Sequence, residues 1–318
     1  MTFIASVIAK DGVAMVADSF VTTIEHSIDK DDFIDYLSKT KSKTTIPITD
    51  LINLFQRRAS HTRNYADKLF QFDDYSAIAT AGSAYINGVE IKDIVKKIAA
   101  EMQIDKSVYY SRDIEDILKE FCNYIKKDVL EHLTKYDCGE TDFIFSHFNR
   151  AADLPQIFLI RIKSQTKDNH DPNDTDIVTY SDRTHLKILT DGQDGFVDRL
   201  IFGSLYTNTL EIKNHFIDYI LKTFKPKAEK RKEIIEAIND FEFIRDIVTK
   251  DFFSLKFREL SLQEAVNLAA LLIKIIMDIQ VYTEKIPTVG GLIRLAVIQK
   301  ETGFQWISGD KILPSKII

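Results

Sequence analysis

Apolar residues run almost unbroken from Phe3 to Ala9, pause at Lys10-Asp11-Gly12, and resume from Val13 to Ala17, which predicts a β-hairpin at the head of the chain. A terminus of that kind is pinned in a sheet, so the groups it carries have fixed places. From 21 to 66 the pattern weakens, with Lys39, Lys41 and Lys43 among threonines and one short amphipathic piece around Leu51 to Arg57, as expected of an inserted excursion. A second hairpin follows, with Lys68-Leu69-Phe70-Gln71-Phe72, a turn at Asp73-Asp74, and Tyr75 to Ala81 ended by Gly82-Ser83. Apolar residues then recur at three- and four-residue steps over Ala84 to Met102 and Ile114 to Thr134, predicting two helices. Asp142 to Phe148, Gln156 to Lys163, Ile177 to Thr190 and Phe196 to Phe202 read as further strands.

The chain then turns helical from Leu205 to about Tyr282, with breaks near Pro226 and before Ser261, and a helical insertion is expected over 206–260. Ser261-Leu262-Gln263-Glu264 fits a capping box, in which serine and glutamate satisfy each other's end of the first turn. The helix after it is the most apolar stretch of all. Asn267, Lys274 and Asp278 nevertheless fall with Glu264 on one stripe at about 100° per residue, which predicts a core helix with one wet edge rather than a membrane span. Gly290 to Gln299 and Phe304 to Ser308 close the chain as a last hairpin. Strands and helices come in blocks instead of alternating singly, so the expected class is α+β, antiparallel sheet with helices layered on it, in one domain over 1–318.

Composition narrows the partners. In 318 residues, 45% hydrophobic, 42 Lys and Arg face 48 Asp and Glu for a net charge of −6, which gives no general attraction to nucleic acid or anionic lipid. Two cysteines cannot staple a protein of this size and no charged-then-apolar leader begins the sequence, so a cytoplasmic location is expected. GxGxxG, phosphate-loop, GxSxG and HExxH motifs are all missing, and the seven histidines show no ligand spacing, so neither a cofactor nor a metal is expected. The acidic loop at Asp168, Asp171, Asp174 and Asp176 lacks the glycine and closing glutamate of a calcium loop. The basic run Lys225, Lys227, Lys230, Arg231 and Lys232 is interleaved with Glu229 and Glu233 and reads as a wet helix start.

One constellation remains. Removal of Met1 would leave Thr2 with a hydroxyl and a free α-amine at the start of a strand. An α-amine has an ordinary pKa of about 7.7 to 8.0, so near neutral pH it can act as a base tethered to its own nucleophile. Taken singly, its candidate helpers have plainer readings: Asp18 a turn cap, Lys68 an edge lysine, Gly82 a turn glycine, Ser204 a helix cap.

Taken together, they carry a likeness. Thr2 through Ser19, TFIASVIAKDGVAMVADS, resembles the opening of proteasome β-subunits and their bacterial ATP-dependent relatives, members of the N-terminal nucleophile hydrolases. Lys68-Leu69-Phe70 and Ala81-Gly82-Ser83 resemble that family's lysine and oxyanion-hole glycine, and Gly203-Ser204, Ser261 to Ala265 and Val289-Gly290-Gly291 resemble later landmarks in order. The sequence departs from the family by about thirty extra residues before Lys68, by a similar surplus between Ser204 and Ser261, and by Val289 and Ile286 where the family has a serine and an aspartate. The resemblance implies a four-layer αββα sandwich and amide-bond hydrolysis, with Thr2 as nucleophile and base, Asp18 holding Lys68 charged, Lys68 easing ionisation of the Thr2 hydroxyl, Gly82 donating to the oxyanion, and Ser204 bonding the α-amine. It also implies a peptide or protein substrate, a homo-oligomer that can close into a ring, and an ATP-dependent unfoldase as partner. The alternatives it leaves are a non-catalytic structural subunit of the same fold and an amidohydrolase for small amides.

Overall fold

The computed structural model describes residues 2–39, 47–64, 66–171, 174, 176–202, 209–239, 259–283 and 286–307. The chain is α+β, and its strands pair antiparallel throughout. Strands β1 (Phe3–Ala9) and β2 (Gly12–Ala17) form the opening hairpin. With β12 (Ile188–Gly192), β13 (Arg294–Gln299) and β14 (Gly303–Trp306) they make a five-stranded sheet in the order β12-β1-β2-β13-β14. A second sheet runs β11-β10-β9-β6-β5, from β5 (Leu69–Asp73), β6 (Ser76–Ala81), β9 (Thr141–Asn149), β10 (Leu154–Ile162) and β11 (Val178–Asp182).

Strand parity shows why these segments read as continuous apolar runs. Each sheet is buried on both faces, so alternate side chains enter two different cores. Ile4, Met15, Ala17, Ala77, Ala79, Ala81, Ile144 and Ala296 meet between the sheets. Phe3, Ala5, Val7 and Val16 face outward instead, against α6 (Gly195–Phe202) and α9 (Leu262–Thr283). On the other outer face Phe72, Phe143 and Phe145 pack under α3 (Ile91–Met102) and α5 (Ile114–Leu133), where Phe121 meets all three rings edge-on. Between the sheets the alanines at 17, 77, 79, 81 and 296 sit beside larger side chains such as Ile4, Met15, Leu69 and Phe148.

The N-terminal excursion is an arm. β3 (Phe20–Ser27) pairs with β4 (Gln56–Asn64) as a separate two-stranded sheet, and α1 (Lys30–Lys39) and α2 (Ile48–Leu54) lie between them in sequence. Of the region expected as helical insertion, α7 (Thr209–Phe224) and α8 (Ala228–Asn239) are described.

Three segments differ from the sequence pattern. Phe196–Phe202 is helix, not strand: Val197 and Ile201, one turn apart, are buried while Phe196 and Leu200 are exposed. The helix expected from Ala84 begins only at Ile91, because Asn87-Gly88, both at positive φ, turn a small hairpin of β7 (Tyr85–Ile86) and β8 (Val89–Glu90). The long strand expected over Ile177 to Thr190 is broken by a 3₁₀ turn at Thr184–Leu186, with α4 (Lys106–Tyr109) a further short helix the pattern did not announce.

The capping box forms as expected, with the Ser261 N–H donating to Glu264 Oε2 at 2.9 Å and the Glu264 N–H to Ser261 Oγ at 3.3 Å. Among the described residues, α9 is the one helix long and apolar enough to cross a membrane, and its apolar face is buried against β1 and β2. Lys274 and Asp278 pair on its exposed edge at 2.7 Å.

Candidate functional site

At one end of the paired sheets a cleft of about 740 Å³ opens, lined among others by Thr2, Phe20, Lys68, Thr80, Gly82 and Ser83. Thr2 comes from the first sheet, immediately before β1, while Lys68 and Gly82 flank the β5–β6 hairpin of the second. The site is therefore assembled across the gap between layers.

Asp18 is its buried anchor. No part of it reaches solvent, and its carboxylate accepts four hydrogen bonds. Oδ1 takes Lys68 Nζ at 2.8 Å and the Phe3 N–H at 3.1 Å; Oδ2 takes the Phe20 N–H at 3.1 Å and the Gly290 N–H at 3.2 Å. One side chain thus ties the start of β1, the start of the arm, the 290 loop and the lysine. Lys68 Nζ donates in addition to the Phe20 carbonyl. Burial pulls the Lys68 ammonium below the ordinary lysine range and pushes the Asp18 carboxyl up, each opposed by the other's charge. Four donors on one carboxylate favour the ionised pair, and removing either partner would strand a buried charge.

Thr2 is held by a turn that the sequence pattern did not reveal. The Gln193 N–H donates to the Thr2 carbonyl at 2.6 Å. Gly192, at φ +92°, comes so close that a Cβ there would lie 2.0 Å from the same oxygen. Gln193 in turn accepts the Thr288 hydroxyl at 2.7 Å, and Gln280 of α9 accepts the N–H groups of Thr288 at 2.6 Å and Val289 at 3.0 Å. The signal for Gln280 was available: it is a polar residue on the buried face of an apolar helix. Gly192 and Gln193 carry no such mark, because a Gly-Gln step reads as any turn.

Gly82, at φ +108°, ends β6 where a Cβ would meet the Glu140 carbonyl at 2.4 Å, so the cleft wall there is bare backbone. The neighbouring Ser83 N–H donates to Thr141 Oγ1 at 3.1 Å, fixing the turn to β9. On β6, Thr80 lines the cleft yet is buried, and its hydroxyl has no partner among the described residues. The opposite wall is the root of the arm, where Thr23 Oγ1 and His61 Nε2 lie 3.1 Å apart. Asp67, next to Lys68, accepts from Arg294 at 2.9 Å and pairs with Lys92 at 2.5 Å, and the Lys92 hydrogen bond holds its carboxyl below the usual range.

Of the sequence-derived candidates, Thr2, Lys68 and Gly82 share this cleft, and Asp18 lies behind it bonded to Lys68. Ser204 lies outside the described residues. No group of three or more His, Cys, Asp or Glu side chains able to hold a metal ion occurs among the described residues. No protein-family model matches the chain, and no curated protein sequence matches it either.

Proposed function

We propose that the chain is a threonine-type N-terminal nucleophile hydrolase of αββα architecture that cleaves peptide or amide bonds once Met1 has been removed. The observation that carries this reading is the shared cleft: Thr2, Lys68 and Gly82 line it together, and Lys68 is bonded to a fully buried aspartate.

The chemistry follows from the groups. A free Thr2 amine takes the proton of its own hydroxyl, the oxygen attacks the substrate carbonyl, and the amine returns the proton to the leaving nitrogen. The Lys68 charge lowers the cost of the developing alkoxide. The bare backbone at Gly82 offers an N–H to the oxyanion, an interaction that elsewhere contributes about 2.7 to 4 kcal/mol. Water then hydrolyses the acyl ester with the same amine as base. Peptide or protein substrates, a closed homo-oligomer and an ATP-dependent unfoldase belong to this proposal through the family resemblance.

The second reading is a catalytically silent subunit of the same architecture. Val289, apolar and buried, favours it, because the family has a supporting serine there.

Intact mass decides between the two. On the enzyme reading the purified protein lacks one methionine, gains one adduct from a threonine-directed electrophile such as a peptide epoxyketone, and loses that adduct in Thr2→Ala and Lys68→Ala. Retained methionine in folded, unreactive protein would establish the silent subunit.

A further inference from the structure

Behind the cleft, the two sheets are joined by side chains that the proposed reaction does not use. In β9, Asp142 stands opposite Ala81, one residue before Gly82; in β12, Asp191 stands opposite Ile4, one residue before Gly192. Ala81 and Ile4 both belong to the core between the sheets, and cross-strand partners share a face, so Asp142 and Asp191 point into that space from opposite sides. β12 packs against β9 across that space, so the two carboxyl groups face each other from neighbouring layers.

Two carboxylates cannot bond each other, since ionised each is acceptor only; a hydrogen bond between them requires a proton. The surroundings decide which group holds it. Asp142 is the charged member: Arg161 of β10 grips it from Nε at 2.8 and 3.1 Å and from Nη2 at 2.6 Å, and Glu140 stands 3.3 Å from the same guanidinium. Among the described residues no cation is bonded to Asp191. Its Oδ1 accepts the Gly192 N–H, and its Oδ2 is shielded from solvent with no donor bonded to it among the described residues. A shielded, unpartnered oxygen beside an anion is where a proton belongs.

We propose that Asp191 is a protonated carboxylic acid that donates to the Asp142 carboxylate, and that this pair is a positioning device, fixing the Gly192 turn that holds Thr2 against β9, the neighbour of the strand that leads to Gly82. The proton rests on the geometry alone; its meaning for catalysis rests on the function proposed above. Burial, reinforced by Asp142, pushes the Asp191 carboxyl up to about 8, in agreement. The other charged groups facing it are Asp194 of the following turn, which burial also pushes up and which adds negative charge, and Arg161 from the second sheet, itself paired with Glu140. Asp198, one turn further, bonds Thr190 and is pushed up by burial to about 6.

The sign follows from linkage. The folded chain binds this proton more tightly than the unfolded one, so stability falls as pH rises from the ordinary aspartate range to about 8, and is lowest above it.

The test uses the full-length chain, as wild type, Asp191→Asn and Asp142→Asn, with infrared spectra at about pH 7 and melting followed from about pH 6 to pH 9. Asparagine at 191 mimics the protonated acid. The expected results are loss of one carboxylic-acid band, equivalent to one proton per chain, in Asp191→Asn; a flattened alkaline fall in its melting temperature; and a fall shifted to lower pH in Asp142→Asn, where the neighbouring negative charge is gone. Where turnover or Thr2 adduct formation is measurable, its alkaline limb moves with the melting curve in Asp191→Asn. An unchanged band and an unchanged pH profile in Asp191→Asn would overturn the proposal. Absence of any Thr2 reactivity would remove its catalytic role and leave the proton decided by the spectra.

Discussion

The core beneath α3 and α5 and the site end of the sheets bury their side chains equally well and by opposite means. The first is apolar and aromatic, with Phe72 and Phe145 5.2 Å apart between centroids and Phe72 and Phe121 5.6 Å apart, so its cohesion comes from area and ring geometry. The second buries Asp18, Lys68, Asp142, Thr80 and Thr288, whose desolvation is offset only where partners are complete. A truncation in the aromatic core leaves a hole. A truncation at the site leaves an orphaned charge or donor, and with it a change in chemistry.

The sharpest way to separate the two regions is Thr2→Ala. It should abolish turnover, by at least about 10³-fold, while leaving the melting temperature nearly unchanged; residual activity at wild-type level would remove Thr2 from the site. Phe121→Ala should do the reverse, costing about 3 to 5 kcal/mol in denaturant titration while folded protein still reacts with the electrophile.

Lys68→Ala should fail on both counts. It strands the Asp18 charge and costs about 3 to 5 kcal/mol of stability, and it removes adduct formation on Thr2. A Lys68→Met, Asp18→Asn double variant, which removes both charges and keeps a side-chain acceptor for the backbone N–H groups, should recover part of the stability without recovering reactivity, and recovery of both would show that the pair is structural only.

Gly82→Ala should slow turnover through backbone displacement, since a side chain at φ +108° collides with the Glu140 carbonyl. Loss of one oxyanion donor corresponds to about 2.7 to 4 kcal/mol in kcat/KM. The smallest effect is the most discriminating: Thr80→Val deletes a partnerless hydroxyl and should stabilise the fold by about 1 kcal/mol. Destabilisation would mean that the hydroxyl has a partner in solution.

Much of this was legible in the sequence for physical reasons that can be named. Both opening hairpins announced themselves as apolar runs around Asp-Gly and Asp-Asp turns, and the Ser261 cap follows from two side chains three residues apart. Asn87-Gly88 was legible too, but the periodicity of the helix behind it masks a two-residue hairpin. Phe196–Phe202 was ambiguous, since a seven-residue apolar run suits strand or helix and only packing against α9 decides. The arm was not legible as a sheet because none of the described side chains of β3 and β4 is buried, leaving no alternation to read. In the site, Thr2, Asp18, Lys68 and Gly82 were singled out through the family resemblance, whereas Gly192, Gln193 and the facing Asp142 and Asp191 depend on which strands become neighbours. A charged residue at an inward position of an apolar strand was the available clue for Asp142.

The row Ala77, Ala79, Ala81 has a consequence for how this molecule can change. These methyl groups are buried in the layer between the sheets, with Thr2 on one side of it and Lys68 and Gly82 on the other. A bulkier residue at 79 would act as a wedge, lifting Lys68 and Gly82 away from Thr2 while every contact within either sheet survived. Tuning of this cleft is therefore expected at its rim, in the arm and the 290 loop, with the spacer itself held to the smallest side chains.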